Sequence, residues 1–195
     1  MKRIVYVYFC LLLLFTLFSC ELVESFLVPT PVEPYKNLTY GIALNKPKGW
    51  LTVDLFQNTR FLNQLQSQME NMGGTIICAF ANEENPSLPP NISVAVGNQP
   101  IDPEKIKEFA KEMDKNIGVN PDVRERPHVV YVGSNKAIKV IVNMYAPAVQ
   151  ATVTTETYVF LRNNGLFIVS AAAPFEKYET LKFLFRKVVS SIKFF

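Results

Sequence analysis

The 195-residue sequence carries one histidine, one tryptophan, three cysteines and eight glycines. A serine hydrolase needs a histidine base and, in the commonest α/β form, a Gly-x-Ser-x-Gly turn. His128 is the sole imidazole, it follows Pro127 at the head of an apolar run, and no such turn exists. Zinc sites draw on several Cys or His ligands. Cys-x-x-Cys-His is absent, and the eight glycines form neither Gly-x-Gly-x-x-Gly nor a Walker loop. No cofactor and no metal are expected. The carboxylate pairs Glu83-Glu84 and Asp122 with Glu125 fall in polar stretches. Paired carboxylates can hydrolyse glycosides or bind Ca²⁺, but these are read as solvated loop residues, with Arg124 and Arg126 as local charge balance. No catalytic residue is assigned, and the chain is not read as an enzyme.

A strong charge of one sign is also missing. There are 20 Lys+Arg against 17 Asp+Glu. Two of the basic residues, Lys2 and Arg3, open a targeting segment, so 18 face 17 in the remainder. That balance leaves no electrostatic footprint for nucleic acid.

Behind Lys2 and Arg3 runs an uncharged stretch of 16 residues, Ile4 to Ser19. A membrane span needs roughly 20 apolar residues, so the run suits the apolar core of a signal peptide. It ends in Leu17-Phe18-Ser19-Cys20, which resembles a lipobox: an aliphatic residue, then a small one, then the cysteine that takes the lipid. Only a thiol can carry thioether-linked diacylglycerol, so lipidation is assigned to Cys20. An uncleaved anchor helix and simple secretion are the alternatives. Cleavage before Cys20 leaves 176 residues, enough for one domain with its own core. The expected location is the cell envelope, with the domain held through lipid at the outer surface of the cytoplasmic membrane or in the outer membrane. Cys10 leaves with the signal, and Cys78 lies in the apolar run Thr75–Phe80, where a core position is the simplest reading.

Residues 20–35 carry Pro29, Pro31 and Pro34 and read as an extended tether of about 3.1 Å per residue. Residues 36–195 read as a single domain. Tyr40, Ile42 and Leu44 alternate as a half-buried strand does. Pro47-Lys48-Gly49-Trp50 makes a turn, and Leu51–Leu55 resumes extended character. Phe61, Leu62, Leu65, Met69 and Met72 keep helical spacing up to Gly73-Gly74. Thr75–Phe80 and Ile92–Val96 are apolar strands around a polar loop, Asn82–Asn91. Asp102 and Pro103 mark the start of a helix with the stripe Ile106, Phe109, Met113 and Ile117, and Gly118 marks its end. A second polar loop is expected over Asn120–Pro127. Strands follow at His128–Val132, Ala137–Tyr145, Thr152–Leu161 and Leu166–Ala172, the last pair around the hairpin signal Asn163-Asn164-Gly165. Pro174 opens a final helix striped by Leu181, Leu184, Phe185, Val188 and Ile192. Hairpins imply antiparallel pairing, and strands apolar on both sides need cover on both. The fold class is therefore α+β: a mostly antiparallel sheet sandwiched by helices on both faces.

Two stretches carry a family resemblance. One is Tyr40-Gly41-Ile42-Ala43-Leu44-Asn45-Lys46-Pro47-Lys48-Gly49-Trp50. The other is the C-terminal strand–helix unit, from Tyr158-Val159-Phe160-Leu161 through Asn164-Gly165-Leu166-Phe167 to Pro174, Tyr178, Leu181 and Ser191-Ile192-Lys193-Phe194. With the elements between them they resemble the PsbP-like superfamily, which includes the extrinsic PsbP protein of photosystem II, a yeast Ran-binding nuclear import factor and bacterial envelope lipoproteins such as DcrB. The resemblance implies a PsbP-like α/β/α sandwich over residues 36–195 and carries over no metal-binding or Ran-binding residue. Trp50 is expected to cap the core after its turn and to be largely buried.

The functional expectation is a membrane-anchored, non-catalytic envelope lipoprotein that binds a protein partner or a small ligand. Its expected partners are the membrane, through the anchor at Cys20, and another envelope protein. The alternatives are a structural or stress-related envelope factor without a discrete ligand, and an enzyme without a recognisable motif. The two long polar loops are read either as ordinary surface connections or as the recognition surface, since loops carry function more often than the elements that position them. Cys20→Ala should leave an unlipidated precursor that incorporates no labelled palmitate; incorporation at the wild-type level would refute the assignment.

Overall fold

Apolar residues recur at every second position through most of this chain, so strands dominate it. The structure is a computed structural model that describes residues 32–53, 74–82, 89–97, 102–118, 122–147, 150–163 and 165–195. The signal segment, Cys20, the helix expected around Phe61–Met72 and most of the loop Asn82–Asn91 lie outside these residues. The strands are β1 (Val32–Asn37), β2 (Ile42–Pro47), β3 (Leu51–Val53), β4 (Gly74–Ala81), β5 (Asn91–Gly97), β6 (Val123–Val132), β7 (Asn135–Ala146), β8 (Ala151–Arg162), β9 (Gly165–Pro174) and β10 (Lys193–Phe194). The α-helices are α1 (Ile106–Ile117) and α2 (Phe175–Ser190). One sheet has the order β3-β4-β5-β9-β8-β7-β6 and a smaller one the order β1-β2-β10. The described pairings are antiparallel. The architecture is α+β: mostly antiparallel sheets with two helices among the described residues.

Local chemistry sets the breaks. Arg162 pairs with Gly165 at the closed end of the β8–β9 hairpin. Gly165 has φ +148°, and a Cβ there would stand 2.8 Å from the Gly97 carbonyl oxygen, so both the dihedral and the close approach require glycine. Asp102 caps as expected, its Oδ1 accepting from the Glu104 N–H at 2.9 Å. The first turn after it, Pro103–Lys105, is 3₁₀ rather than α. Gly118, at φ +62°, ends α1 with its N–H shared between the Asp114 and Lys115 carbonyls.

Consecutive residues of β8 join different cores. Tyr158 and Phe160 belong to the main cluster with Tyr178, Phe185 and Val188 of α2, Phe80 of β4, Phe167 and Val169 of β9, and Ile42 and Leu44 of the small sheet. Val159 and Leu161 belong to a second cluster with Ile106 and Ala110 of α1 and Ile138 of β7. The small sheet is tied to the end of α2, where Ser191 Oγ accepts from the Asn45 N–H at 2.8 Å. Beyond it, Phe194 sets its ring 5.3 Å from Phe160 and 4.9 Å from Phe167.

Three expectations are corrected. Strand structure starts at Val32, inside the stretch read as tether. Proline is tolerated in an edge strand, and β1 is the edge of the small sheet, with Glu33 ion-paired to Lys46. The expected loop Asn120–Pro127 is largely strand, because β6 begins at Val123. Its polar alternation is that of an outermost strand, with Val123, Glu125 and Val129 half-buried between exposed Arg124, Arg126 and His128. The pairing shifts between Glu125 and His128, so Pro127 interrupts no regular ladder. Trp50, finally, is half-buried and packs against the main cluster from outside. The turn that places it is held by its N–H to the Pro47 carbonyl at 3.2 Å and by Lys46 Nζ to its own carbonyl at 2.6 Å. Trp50→Ala should therefore cost about 1–3 kcal/mol in denaturant unfolding, less than the ~3–5 kcal/mol of a fully buried tryptophan. A loss below about 0.5 kcal/mol would mean that the indole contributes no packing.

Candidate functional site

Side chains along a strand alternate between its two faces, so the register that turns Tyr158 and Phe160 toward α2 also turns Thr154 and Glu156 there. Glu156 has no exposed surface. An unpaired carboxylate would be very costly at that depth, and four donors surround this one. The Tyr158 hydroxyl donates to Oε1 at 2.7 Å and the Tyr178 hydroxyl to Oε2 at 2.8 Å. Lys139 Nζ lies 3.4 Å and Arg186 Nε 3.6 Å from Oε1. The backbone dictates each approach. Tyr158 is two residues along the same face of β8, Lys139 is its register partner on β7, and Tyr178 and Arg186 stand roughly two helical turns apart on α2.

The network extends to the outermost strand. Lys139 Nζ donates to Glu125 Oε2 at 2.8 Å, and Glu125 Oε1 lies 3.2 Å from His128 Nε2. Arg124 bonds Glu179 at 2.7 Å and stacks over the Tyr178 ring at 5.1 Å. Burial, reinforced by the adjacent Glu156 charge, pushes the Tyr158 and Tyr178 hydroxyls well above the usual tyrosine range. Burial pulls Arg186 down, but attraction to Glu156, Tyr158 and Tyr178 outweighs it and the net shift is upward.

A cleft of about 290 Å³ opens above this network, between the β6–β7 hairpin and the last turns of α2. Val130 and Val132, Val189, Tyr158, Lys139 and Arg186 line it. Tyr131, 72 % exposed, stands at its rim. Both oxygens of Glu156 accept hydroxyl protons, so the carboxylate works here as an anchor for two elements. What the cleft presents is apolar wall plus cationic side chain.

Of the residues singled out from sequence, Cys20 and Glu83-Glu84 lie outside the described residues. Cys78 is in the core, where burial pushes its thiol up to about 12, the opposite of a reactive cysteine. His128 is exposed, and its Nδ1 lies 2.9 Å from the Arg126 carbonyl. Glu125 is a strand residue bound to Lys139, not a solvated loop carboxylate. Arg124 reaches α2, and Arg126 reaches Asp114 of α1 at 2.5 Å, so neither is local charge balance. Sequence reading missed Glu156, Lys139, Tyr158, Tyr178 and Arg186 as a group. The available signal was a charged residue in phase with Tyr158 and Phe160.

No protein-family model matches the chain, and no curated protein matches it in sequence. Solved structures do. A crystal structure from Bacteroides thetaiotaomicron aligns over 84 % of this chain at 11 % identity and a TM-score of 0.51. The chain spans about half of that protein, 48 % of its length. The solution structure of cyanobacterial PsbP (CyanoP) from Synechocystis aligns over 87 % of this chain and 96 % of its own at 14 % identity and a TM-score of 0.51. The chain has the PsbP-like fold. A weaker likeness, at 19 % identity, a TM-score of 0.46, and 85 % and 86 % of the two chains, is to LpqN of Mycobacterium tuberculosis, which is involved in cell envelope biogenesis. Among the described residues of this PsbP-like domain, no helix is long and apolar enough to cross a membrane.

The two tyrosines give stability a pH dependence of definite sign. Their folded values lie above the ordinary tyrosine value of about 10, so above that pH the folded state holds protons that the unfolded chain has lost. Their contribution is full below about pH 10 and declines as pH rises through the folded values. Denaturant unfolding on either side of pH 10 should show the decline. Tyr158→Phe and Tyr178→Phe should each flatten it, leaving the same-signed contributions of Tyr35 and Cys78; an unchanged slope in both variants would contradict this account.

Proposed function

We propose that this chain is a lipid-anchored, non-catalytic module of the cell envelope that binds a protein partner or a small ligand through the cleft between the β6–β7 hairpin and α2. Lipid at Cys20 holds it at the outer surface of the cytoplasmic membrane or in the outer membrane. The observation that carries the binding part is the state of the polar groups beneath the cleft. Glu156 is bound at both oxygens by tyrosine hydroxyls, and Glu125 is bound by Lys139 and His128. Groups engaged in this way position surfaces rather than exchange protons with a substrate. The anchor reading is supported by the lipobox-like Leu17-Phe18-Ser19-Cys20. The same reading takes the large sheet to be covered by helices on both faces, which the alternation of β8 residues between the α1 and α2 clusters supports.

A photo-crosslinking residue at position 131, on the cleft rim, should yield a discrete adduct in intact cells, while one at Lys107, exposed on α1, should not. Similar heterogeneous adducts from both positions, or none from either, would mean that this face recognises nothing.

A further inference from the structure

The cleft has an unequal pair of cations. Lys139 is 10 % exposed and gives its ammonium to two carboxylates, Glu125 at 2.8 Å and Glu156 at 3.4 Å. Arg186 is 40 % exposed, and its Nε lies 3.6 Å from Glu156, beyond hydrogen-bond length. Its guanidinium therefore feels the Glu156 charge while keeping donors for another acceptor, and a guanidinium fork matches a carboxylate in two parallel bonds. Phe185, Val188 and Val189, all buried in the main cluster, hold the Arg186 end of α2 against the sheet, so the donor sits on a rigid element, which favours recognition.

Charge and size narrow what fits. Within the cluster the charges of Lys139 and Arg186 are matched by those of Glu125 and Glu156, so there is no surplus positive charge to hold a doubly charged phosphate. What the cleft can offer is the directional fork of Arg186, which suits the two coplanar oxygens of one carboxylate. The wall beside it is aliphatic, made of Val130, Val132 and Val189. At about 290 Å³ the space lies at the lower limit for ligand pockets, ~300 Å³. We infer that the cleft binds a small monocarboxylate with a short apolar or aromatic body, the carboxylate on Arg186 and the body against Val130, Val132 and Val189. This rests on the proposed binding role of the cleft and names its ligand class.

The test uses the mature lipoprotein in nanodiscs with ¹³C-methyl valine labels and phenylacetate as probe. Phenylacetate should shift the Val132 and Val189 methyl signals saturably, whereas its neutral isostere phenylacetamide should not, and inorganic phosphate should bind more weakly. Arg186→Gln should weaken phenylacetate binding at least tenfold, with Arg186→Lys in between. Should Arg186→Gln fail to fold, the acid–amide comparison on the wild-type protein decides alone. Equal binding of acid and amide, tighter binding of phosphate, unchanged affinity in a folded Arg186→Gln, or no saturable shift would each overturn the inference. If position 131 still captures a discrete partner while phenylacetate leaves the valines unmoved, only the ligand class fails; if neither probe reports, the binding role fails with it.

Discussion

Glu156 lies at full depth between β8 and α2, and its two oxygens take hydroxyls from both elements: Tyr158 from the strand and Tyr178 from the helix. Apolar packing alone leaves a helix some freedom to slide over a sheet, since hydrophobic burial is non-directional. The bond from Tyr178 crosses to a carboxylate that Tyr158 fixes on the strand, and this directional contact removes that freedom. It sets where the helix lies, and the helix carries Phe185 and Val188 into the main cluster and Ser191 to the small sheet. Removing one member of such a buried set leaves the others uncompensated, typically at about 3–5 kcal/mol.

The same arrangement shapes the surface above it. With α2 fixed, its last turns stand over the β6–β7 hairpin and leave a cleft whose walls are aliphatic and whose charged side chains come from the network beneath. Lys139 is held between two carboxylates, while Arg186 is drawn toward Glu156 yet remains partly in solvent. What packs the helix against the sheet therefore also places a cation at the cleft. The interior charges of the network are matched internally.

The outermost strand shows how polarity misleads. Val123–Pro127 reads as a loop because it is rich in charge and holds a proline. An edge strand has one unpaired side and abundant solvent, so charge and proline belong there as readily as in a loop. Its charged residues then serve three different partners: Arg124 reaches α2, Arg126 holds the C-terminal end of α1 through Asp114 and Gly118, and Glu125 fixes Lys139. None of these pairings follows from neighbourhood in the chain. Val32–Tyr35 misleads in the same way, as a proline-bearing edge strand read as tether.

Periodicity and turn chemistry made the elements legible. The alternation in β7, β8 and β9, the Asn163-Asn164-Gly165 hairpin, the Asp102 cap, the Gly118 stop and the stripe of α2 are local signals, and local sterics and hydrogen bonding enforce them whatever surrounds them. The α+β class and the PsbP-like resemblance follow from that string of elements. The candidate site was legible only in half. Alternation puts Glu156 and Lys139 in phase with core residues, which marks them as unusual, but it cannot say what satisfies them. Tyr178 and Arg186 lie on a helix 22 and 30 positions further along the chain, and their approach to Glu156 depends on how that helix crosses the sheet. Local propensity fixes the direction of a side chain from its own backbone; which groups meet across a core is decided by packing distant segments together, and only the tertiary structure settles that.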